Sequence, residues 1–364
     1  MNYPKYKIPF ACGVMYQEKL YISSIAGNDL FQYDWMTGKL SYFLSFDEEK
    51  DVEYLYRCAI IYKNKAWFIP QCAEKIAVVD LETRNVDYIK VNYKWIESRV
   101  SFKFSTAGIF ENHFLYLVPY DIDTLLIINM LTGEVIEHNG ISSHEQKYCD
   151  AVYINEWLYL IPWTASSALK LYVKNGERKA FSWQWGKQQY IRAILDKENE
   201  EVWMVPASAS QIAIYDLKGN SWNTINYEGK LIEHSCDYIN SIYGKIIDDN
   251  VIICPYDSDQ IMLVGRRSKI IEKTIIKNKS ATPFFMKIVD GKEFYAIVEG
   301  SNIIFKYNKG KNTFERKFAC VDNSSKFWNC RDEKIEEKVK NNTTFNEMYG
   351  SDLSAYLKNI KLCE

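Results

Sequence analysis

Short apolar runs alternate with polar turns along most of the chain, and the runs are too short for helices. Residues 113–139, HFLYLVPYDIDTLLIINMLTGEVIEHN, show the pattern: two apolar runs, a tight turn and a third run with more polar positions. Apolar runs of roughly four to eight residues between turn residues are typical of β-strands. The pattern therefore predicts antiparallel strands joined by tight turns.

One landmark shows that this pattern is a repeat: an apolar strand that ends in proline. The clear copies are KAWFIP, FLYLVP, WLYLIP, EVWMVP and NVIICP, and KLYISS and EFYAIVE are weaker copies at the two ends. The last residues of these copies are Ser24, Pro70, Pro119, Pro162, Pro206, Pro255 and Glu299. Their spacing of about 46 residues is typical of one unit in a repeat architecture.

A second landmark, a short turn after the following strand, keeps the same spacing. The turn reads TR at 83–84, NG at 175–176, TG at 37–38 and 132–133, and KG at 218–219 and 309–310. Only the sixth unit departs from it, with GRRSK. Two independent landmarks in phase indicate a true repeat. The basic stretch GRRSKIIEKTIIKNK is interpreted as a solvated outer edge that deters sheet pairing.

Each unit divides into four strands, which in the third unit are STAGIF, FLYLVP, TLLIINM and EVIEHN. Several strands are apolar throughout, which indicates sheets that are buried on both faces. Units of four short antiparallel strands, stacked face to face, form the blades of a β-propeller. We therefore expect an all-β fold, a seven-bladed β-propeller over residues 1–319. Six blades plus a divergent unit are the alternative.

The chain changes character after the last unit, over residues 320–364. Ser351 can cap a short helix in which Leu353, Tyr356, Leu357 and Ile360 share one face. A lone helix of this length is marginal in water, so it has to pack on something. We expect a short helical C-terminal tail that packs on the flank of the propeller, with docking to a partner as the alternative.

The segment IYDLKGNSWNTI, residues 214–225, resembles the second half of a Kelch repeat, in which Tyr-Asp precedes a turn and then a Trp. QYDWMTGKLSYF and VVDLETRNVDYI are weaker versions of the same pattern. The resemblance implies a Kelch-like blade design over roughly residues 10–319. The Gly-Gly pair of Kelch repeats is missing from every unit, so the resemblance carries over no catalytic residues.

Composition and charge narrow the classes of function. The formal net charge is −2, which predicts no general attraction to nucleic acid or to an anionic membrane surface. No run of about 18 apolar residues occurs, and the N-terminus does not read as a signal peptide. The nine cysteines form no C-x-x-C pair, so we expect a reduced, cytoplasmic protein without disulfides. Known cofactor and metal motifs are missing, so no cofactor and no metal are expected.

Two nearly identical loops point to a candidate site. In a four-stranded blade, the loop after the second strand and the connection between blades lie on one face of the ring, here called the loop face; the opposite face is the turn face. PYDID and PYDSD place Tyr120, Asp121, Tyr256 and Asp257 on the loop face, and Trp163 takes the position of the tyrosines in the fourth unit. These side chains suit a peptide or a sugar. The alternative is that the aspartates of these loops only cap turns.

Charged residues at the start of the first, axis-lining strands complete the candidate site. Arg57 and Arg192 occur three units apart, and Asp150 and Lys287 lie at similar positions in the fourth and seventh units. Arginines near the axis are suited to hold a carboxylate or a phosphate. The alternative is that they neutralise acidic residues of neighbouring blades.

Two functions remain open on the sequence. The first is a non-catalytic recognition or scaffold propeller that binds a protein or peptide through the loop face, with Arg57, Tyr120, Asp121, Trp163, Arg192, Tyr256 and Asp257 around one concavity. The second is an enzyme of the epimerase or lyase kind, which acts on a small anionic or sugar-like substrate in an axial Arg/Asp pocket. A propeller fold hosts both functions and does not decide between them.

Overall fold

The computed structural model describes residues 10–25, 28–49, 54–94, 103–181, 183–226, 241–255, 260–275, 286–289, 293–298, 302–308, 311 and 313–321. Those residues form strands and their connections, and they contain no helix. Of the predicted helical tail, residues 320–364, Cys320 and Val321 form a strand, and residues 322–364 lie outside the described residues.

The strands form seven sheets, each of which is one blade. Blade 1 consists of β1 (Phe10–Tyr16), β2 (Lys19–Ser24), β3 (Asp29–Asp34) and β4 (Lys39–Ser45). Blade 2 consists of β5 (Tyr56–Tyr62), β6 (Lys65–Pro70), β7 (Lys75–Asp80) and β8 (Val86–Lys90). Blade 3 consists of β9 (Phe104–Phe110), β10 (Phe114–Pro119), β11 (Leu125–Asn129) and β12 (Val135–His138). Blade 4 consists of β13 (Tyr148–Ile154), β14 (Trp157–Pro162), β15 (Ala168–Tyr172) and β16 (Arg178–Phe181). Blade 5 consists of β17 (Tyr190–Asp196), β18 (Glu201–Pro206), β19 (Gln211–Asp216) and β20 (Ser221–Asn226). Blade 6 consists of β21 (Ser241–Ile247), β22 (Asn250–Pro255), β23 (Gln260–Gly265) and β24 (Ile271–Ile275). Blade 7 consists of β25 (Met286–Val289), β26 (Tyr295–Val298), β27 (Ile303–Asn308) and β28 (Thr313–Phe318). A last strand, β29 (Cys320–Val321), follows blade 7.

Within each blade the four strands pair antiparallel in chain order, so each blade is a simple meander. The first strands of successive blades pack against each other, and β25 of blade 7 packs against β1 of blade 1. Seven first strands therefore close one ring around a central axis. The prediction of seven four-stranded blades is confirmed, and the alternative of six blades is excluded.

The proline landmark marks the end of the second strand of a blade, as the sequence predicts. Proline has no N–H to give to the strand ladder, so the pairing is interrupted opposite it. In blade 2, Tyr56 pairs with Pro70 and Cys58 pairs with Ile69, which leaves Arg57 as an extra residue in a β-bulge. Blades 1 to 6 share this bulge, which lies opposite a proline in blades 2 to 6 and opposite Ser24 in blade 1. The extra residues are Ala11, Arg57, Ser105, Cys149, Ile191 and Ile242.

The turn landmark corresponds to the hairpin between the third and fourth strands. In blade 2, Asp80 Oδ1 accepts the N–H groups of Glu82 and Thr83 at 3.0 and 2.9 Å, and the aspartates of blades 1 and 5 do the same. Blade 6 makes the same kind of turn although its sequence departs from the repeat. There Lys269 has a φ of 57° and donates its N–H to the carbonyl of Gly265 at 2.9 Å.

Apolar side chains fill the spaces between blades. The third strands β7 and β11 are almost entirely buried, whereas the fourth strands β8 and β12 are mostly half-buried or exposed. Phe46, in the connection that leads to blade 2, packs on Tyr56 and Phe68 with ring centroids 4.7 and 5.2 Å apart. Burial of the third strands on both faces explains why their sequences are apolar without alternation.

The ring is closed at the seam between blades 7 and 1. After blade 7 the chain forms β29, which pairs in parallel with β4 and adds a fifth strand to the outer edge of blade 1. Nearby, Lys317 Nζ donates to the carbonyl of Trp35 at 2.6 Å and lies over its ring at 4.6 Å. The propeller thus extends to residue 321, two residues beyond the boundary that the repeat predicts.

Candidate functional site

The loops after the proline are fixed by their backbone. The residue that follows the proline donates its N–H to the carbonyl just before the first strand of its own blade. Tyr120 donates to Lys103 at 2.9 Å, and Trp163 donates to Lys147 at 2.8 Å. Gln71 and Ala207 make the same bond in blades 2 and 5. Tyr120 and Trp163 are both half-buried, so the backbone holds two partly exposed aromatic side chains in place on the loop face.

Asp121 is directed inward and is not presented to solvent. It is only 1% exposed, and its Oδ1 lies 2.7 Å from Nζ of Lys147, which is itself buried. The same Lys147 ammonium lies 4.7 Å from the centre of the Tyr120 ring. Burial raises the pKa of Tyr120, although the Lys147 charge acts in the opposite direction. Asp121 thus neutralises a buried lysine of the next blade.

Lys103 has the same role one blade earlier. It precedes the first strand of blade 3, as Lys147 precedes that of blade 4, and it is 2% exposed. Its Nζ donates to the carbonyls of Ala73 and, at 3.3 Å, Cys72 in the loop of blade 2. In blades 3 and 4, the lysine before the first strand thus binds the loop of the preceding blade through its ammonium group. A sequence signal for these lysines exists: Lys103-Phe104 and Lys147-Tyr148 are Lys-aromatic pairs at the same position of units 3 and 4.

Arg57 and Arg192 meet at one oxygen atom. Arg57 Nε donates to the carbonyl of Ser105 at 2.9 Å, and Arg192 Nη2 donates to the same carbonyl at 3.2 Å. Arg192 Nη1 also donates to the carbonyl of Cys149 at 2.7 Å. Arg192 belongs to blade 5 and reaches a carbonyl of blade 3, so its side chain passes in front of blade 4. The structure therefore brings the two predicted arginines together at the axis.

The β-bulge explains why those carbonyls accept arginines. Ser105 and Cys149 are the extra residues of blades 3 and 4, where the strand ladder is interrupted opposite a proline. A buried backbone carbonyl without a ladder partner needs another donor. Arg57 and Arg192 supply it. Arg57 is itself the extra residue of its strand, whereas Arg192 lies one position further along, so the two arginines are not at equivalent positions.

Asp150 and Tyr243 extend this polar cluster to the neighbouring blades. They have the same position in their strands as Arg192. Asp150 accepts the N–H groups of Ala151 and Ala193 at 2.9 and 2.8 Å. Burial raises the pKa of Asp150, and the positive charge of Arg192 opposes that rise. The Arg192 guanidinium lies 5.1 Å from the centre of the Tyr243 ring, a favourable cation–π arrangement.

Five of the seven predicted site residues are described, and they form two groups. Arg57 and Arg192 share the carbonyl of Ser105, whereas Tyr120, Asp121 and Trp163 each contact Lys147. That the seven residues surround one concavity stays a prediction. Tyr256 and Asp257 lie outside the described residues, and of Lys287 only the backbone is described. Sequence reasoning missed Ser105, Lys103 and Lys147 as members of the cluster. Ser105 acts through its carbonyl, which every residue carries, so no sequence signal identifies it.

The described part of the chain contains no group of three or more His, Cys, Asp or Glu side chains that is suited to a metal ion. It also contains no helix with the length and hydropathy of a membrane crossing. The chemistry of the described site consists of hydrogen-bond donors, cations and aromatic rings. Its acidic groups, Asp121 and Asp150, are both buried and hydrogen-bonded.

No protein-family model matches the chain, and no curated protein matches its sequence. Solved structures match its fold. A catalytically inactive histidine-to-alanine variant of virginiamycin B lyase from Staphylococcus aureus, with quinupristin, has a TM-score of 0.61 and 12% identity, over 82% of this chain and 94% of the lyase. Hsv2 from Kluyveromyces lactis has a TM-score of 0.51 and 9% identity, over 85% of this chain and 98% of Hsv2.

A third similar structure is PorZ, a bacterial surface component of the type-IX secretion system of Porphyromonas gingivalis. Its TM-score is 0.55 at 10% identity, over 89% of this chain but only 39% of PorZ. Identities this low show the fold alone. They establish the propeller architecture, whereas membership of the Kelch family is not shown. The three proteins differ in function, so the fold does not select one.

Proposed function

We propose that this propeller is a non-catalytic recognition module that binds a protein or peptide through its loop face. The observation that carries the proposal is the pair of aromatic side chains, Tyr120 and Trp163, which adjacent blades hold on that face by equivalent backbone hydrogen bonds. Fixed, partly exposed aromatic side chains are suited to contact a partner because little conformational entropy is lost on binding.

The electrostatics of the loop face also favour recognition over catalysis. Asp121 is paired with Lys147, and both oxygens of Asp150 accept backbone N–H groups. A general acid or base has to exchange protons with a bound substrate, which requires a hydrogen-bonding position directed at that substrate. Buried carboxylates that already serve the protein's own groups support a scaffold role.

Panning of a displayed random-peptide library on the immobilised protein tests the proposal. Peptides enriched on the wild-type protein should lose affinity at least about tenfold for the Tyr120→Ala/Trp163→Ala double variant. The matched control is Met36→Ala, which removes an exposed apolar side chain from a turn on the opposite face. Peptides that bind the double variant as well as the wild type, or that respond to the control instead, would refute the loop face as the binding surface.

A second candidate function is an enzyme for a small anionic or sugar-like substrate in the axial Arg/Asp cluster. Burial raises the pKa of Asp150 next to Arg192, and perturbed carboxyl groups occur often at catalytic sites. Screening sugar acids and cyclic esters for turnover, with Asp150→Asn as the comparison, tests it. Turnover that is lost in Asp150→Asn while the melting temperature is retained would favour the enzyme over the recognition module.

The cytoplasm is the proposed location. Cys149 and Cys254 are free thiols, and thiols persist in a reducing compartment. Fractionation of cells that express the full chain, followed by immunodetection, checks this directly. Recovery in a membrane or extracellular fraction would overturn it.

A further inference from the structure

We infer that the point where Arg57 and Arg192 meet is an anion site that receives a carboxylate of the partner bound on the loop face. The inference deepens the proposed function and rests on it for the identity of the partner. It names the chemical group that the axial end of the loop face recognises. Three features of the described residues carry it: convergence of charge, the bonding of Arg192, and the identity of the nearby carboxylate.

The first feature is that two cations converge on a neutral atom. The Nε of Arg57 and the Nη2 of Arg192 are both bonded to the carbonyl oxygen of Ser105, so these two nitrogens lie at most about 6 Å apart. Like charges at this separation repel each other, and more strongly inside a protein than in water. An anion bound at this point would be attracted by both guanidinium groups.

The second feature is the bonding of Arg192. This side chain is 7% exposed; its Nη1 and Nη2 donate to backbone carbonyls, and it also interacts with the Tyr243 side chain. Its Nε is buried and has no hydrogen-bond partner. Within the described residues no carboxylate lies within ion-pair distance of it, although buried guanidinium groups normally pair with carboxylates. Arg192 therefore has donor capacity left at the axis.

The third feature is Asp150, which selects the charge of the ligand. Its oxygens accept the N–H groups of Ala151 and Ala193, so it lowers the positive potential near Arg192 without occupying the donors of that arginine. A dianion such as phosphate would meet the negative charge of Asp150 as well. A monoanion that accepts parallel N–H bonds fits better, and a carboxylate is the monoanion that proteins and peptides carry.

Side-chain NMR of arginine provides a test that does not depend on a known partner. The Nε–H signals of Arg57 and Arg192, assigned by substitution, are followed during titration with glutarate, with its uncharged analogue glutaramide, and with inorganic phosphate at matched ionic strength. Glutarate should shift both signals in a saturable manner, and glutaramide should not. Shifts with phosphate that saturate at lower concentration than with glutarate would overturn the assignment of a carboxylate.

Variants show whether the two arginines form the site. Arg57→Gln should weaken glutarate binding about tenfold or more. Arg57→Lys should retain part of the affinity, because lysine keeps the positive charge but lacks the parallel N–H donors of a guanidinium group. The control is Arg178→Gln, which removes an exposed arginine that also donates to two carbonyls, those of Asn139 and Gly140. Glutarate affinity unchanged in Arg57→Gln, or lowered equally in Arg178→Gln, would refute the site.

Two peptide series separate this inference from the proposed function and identify the source of the carboxylate. One series carries an internal Glu with an amidated C-terminus, and the other carries a free C-terminal carboxylate and no acidic side chain. If peptides bind through Tyr120 and Trp163 but ignore Arg57→Gln, the recognition function stands and the anion site fails. If glutarate binds but no library peptide does, the anion site stands and the proposed partner class fails.

Discussion

Arg266 and Asp196 form a two-pronged ion pair that joins blade 6 to blade 5. Arg266 Nε lies 2.8 Å from Asp196 Oδ2, Nη2 bonds to Oδ1, and the two side chains are 9% and 0% exposed. Arg267 and Lys269 bind Glu198 and Glu201 of blade 5 at 3.0 and 2.6 Å. The interpretation of this basic stretch as a solvated edge is therefore wrong at its turn, where the charges reach across to the next blade.

Asp196→Asn should lower the free energy of unfolding by about 3 kcal/mol, because it removes the buried carboxylate of Arg266 and leaves the exposed Glu198, at 3.0 Å, as the remaining carboxylate partner. Chemical denaturation at neutral pH measures the effect. The matched control is Asp87→Asn, which removes an exposed partner of Lys65 at 3.9 Å and should change stability by less than about 0.5 kcal/mol. Equal effects of the two substitutions would show that the pair between the blades contributes no more than a surface contact.

The same ion pair should depend on pH on the acid side. Burial alone would raise the pKa of Asp196, but Arg266 and Asn199 together hold it below its usual value of 3.8. A carboxylate with a lowered pKa contributes stability that is fully present above the usual value and is lost as the pH falls through the lowered one. The difference in unfolding free energy between wild type and Asp196→Asn should therefore be constant at neutral pH and shrink below about pH 4. A difference that does not change with pH would contradict this assignment.

Gly108→Ala should destabilise the contact between blades 3 and 4. A Cβ at this position would lie 2.3 Å from Oη of Tyr116 and 2.5 Å from its Cζ. The Tyr116 hydroxyl donates to the carbonyl of Ala151 at 2.6 Å, so the ring has no room to move without breaking that bond. We expect a loss of about 2 kcal/mol from overpacking, measured by thermal and chemical denaturation.

Gly133→Ala separates crowding from backbone strain. Gly133 has a φ of 77° and open space around its Cβ position, so this substitution adds only the cost of a left-handed alanine, about 1 kcal/mol. A Gly108→Ala variant as stable as Gly133→Ala would mean that Tyr116 moves freely. In that case its hydroxyl would not link the two blades.

The fold could be predicted from the sequence because its landmarks have local causes. Proline ends the second strand by removing a ladder donor, and Asp80 fixes the following hairpin by capping its own turn. The bulge opposite the proline was not predicted, since it depends on the pairing of two strands. Its consequence, the Ser105 carbonyl that accepts N–H groups of both arginines, therefore escaped sequence reasoning. The offset of Arg57 from Arg192 escaped it for the same reason.

The cysteines should divide into slow and fast groups when native protein is treated with a thiol reagent. Cys149 and Cys254 are buried, and burial raises the pKa of both thiols, which disfavours the reactive thiolate. Cys58 and Cys72 are partly exposed. Peptide mapping by mass spectrometry should find Cys58 and Cys72 modified first, and Cys149 and Cys254 modified only at the rate of unfolding. Early modification of Cys149 would show that the first strand of blade 4 becomes accessible to the reagent in the native state.

The candidate site was only partly accessible to sequence reasoning, and Asp121 shows why. The repeated PYD loop predicted Tyr120 and Asp121 on the loop face, and the equivalent position in unit 4 predicted Trp163 there, since blade register is a property of the sequence. The direction of each side chain depends on the neighbouring blade. Lys147, which turns Asp121 inward, is 26 residues away along the chain. A single sequence does not report such a pairing.

Asp121→Asn provides the decisive measurement on that residue, because its two interpretations predict opposite results. If Asp121 is the counter-ion of buried Lys147, the substitution should cost about 3 kcal/mol of stability, since the buried ammonium would lose the carboxylate that it faces. The Asp121→Asn/Lys147→Gln double variant should then recover much of the loss, because both charges are gone. If Asp121 were instead a carboxylate presented to a ligand, the single variant would keep its melting temperature and lose peptide binding. The first result would leave Tyr120 and Trp163, with the axial arginines, as the groups through which the loop face recognises its partner.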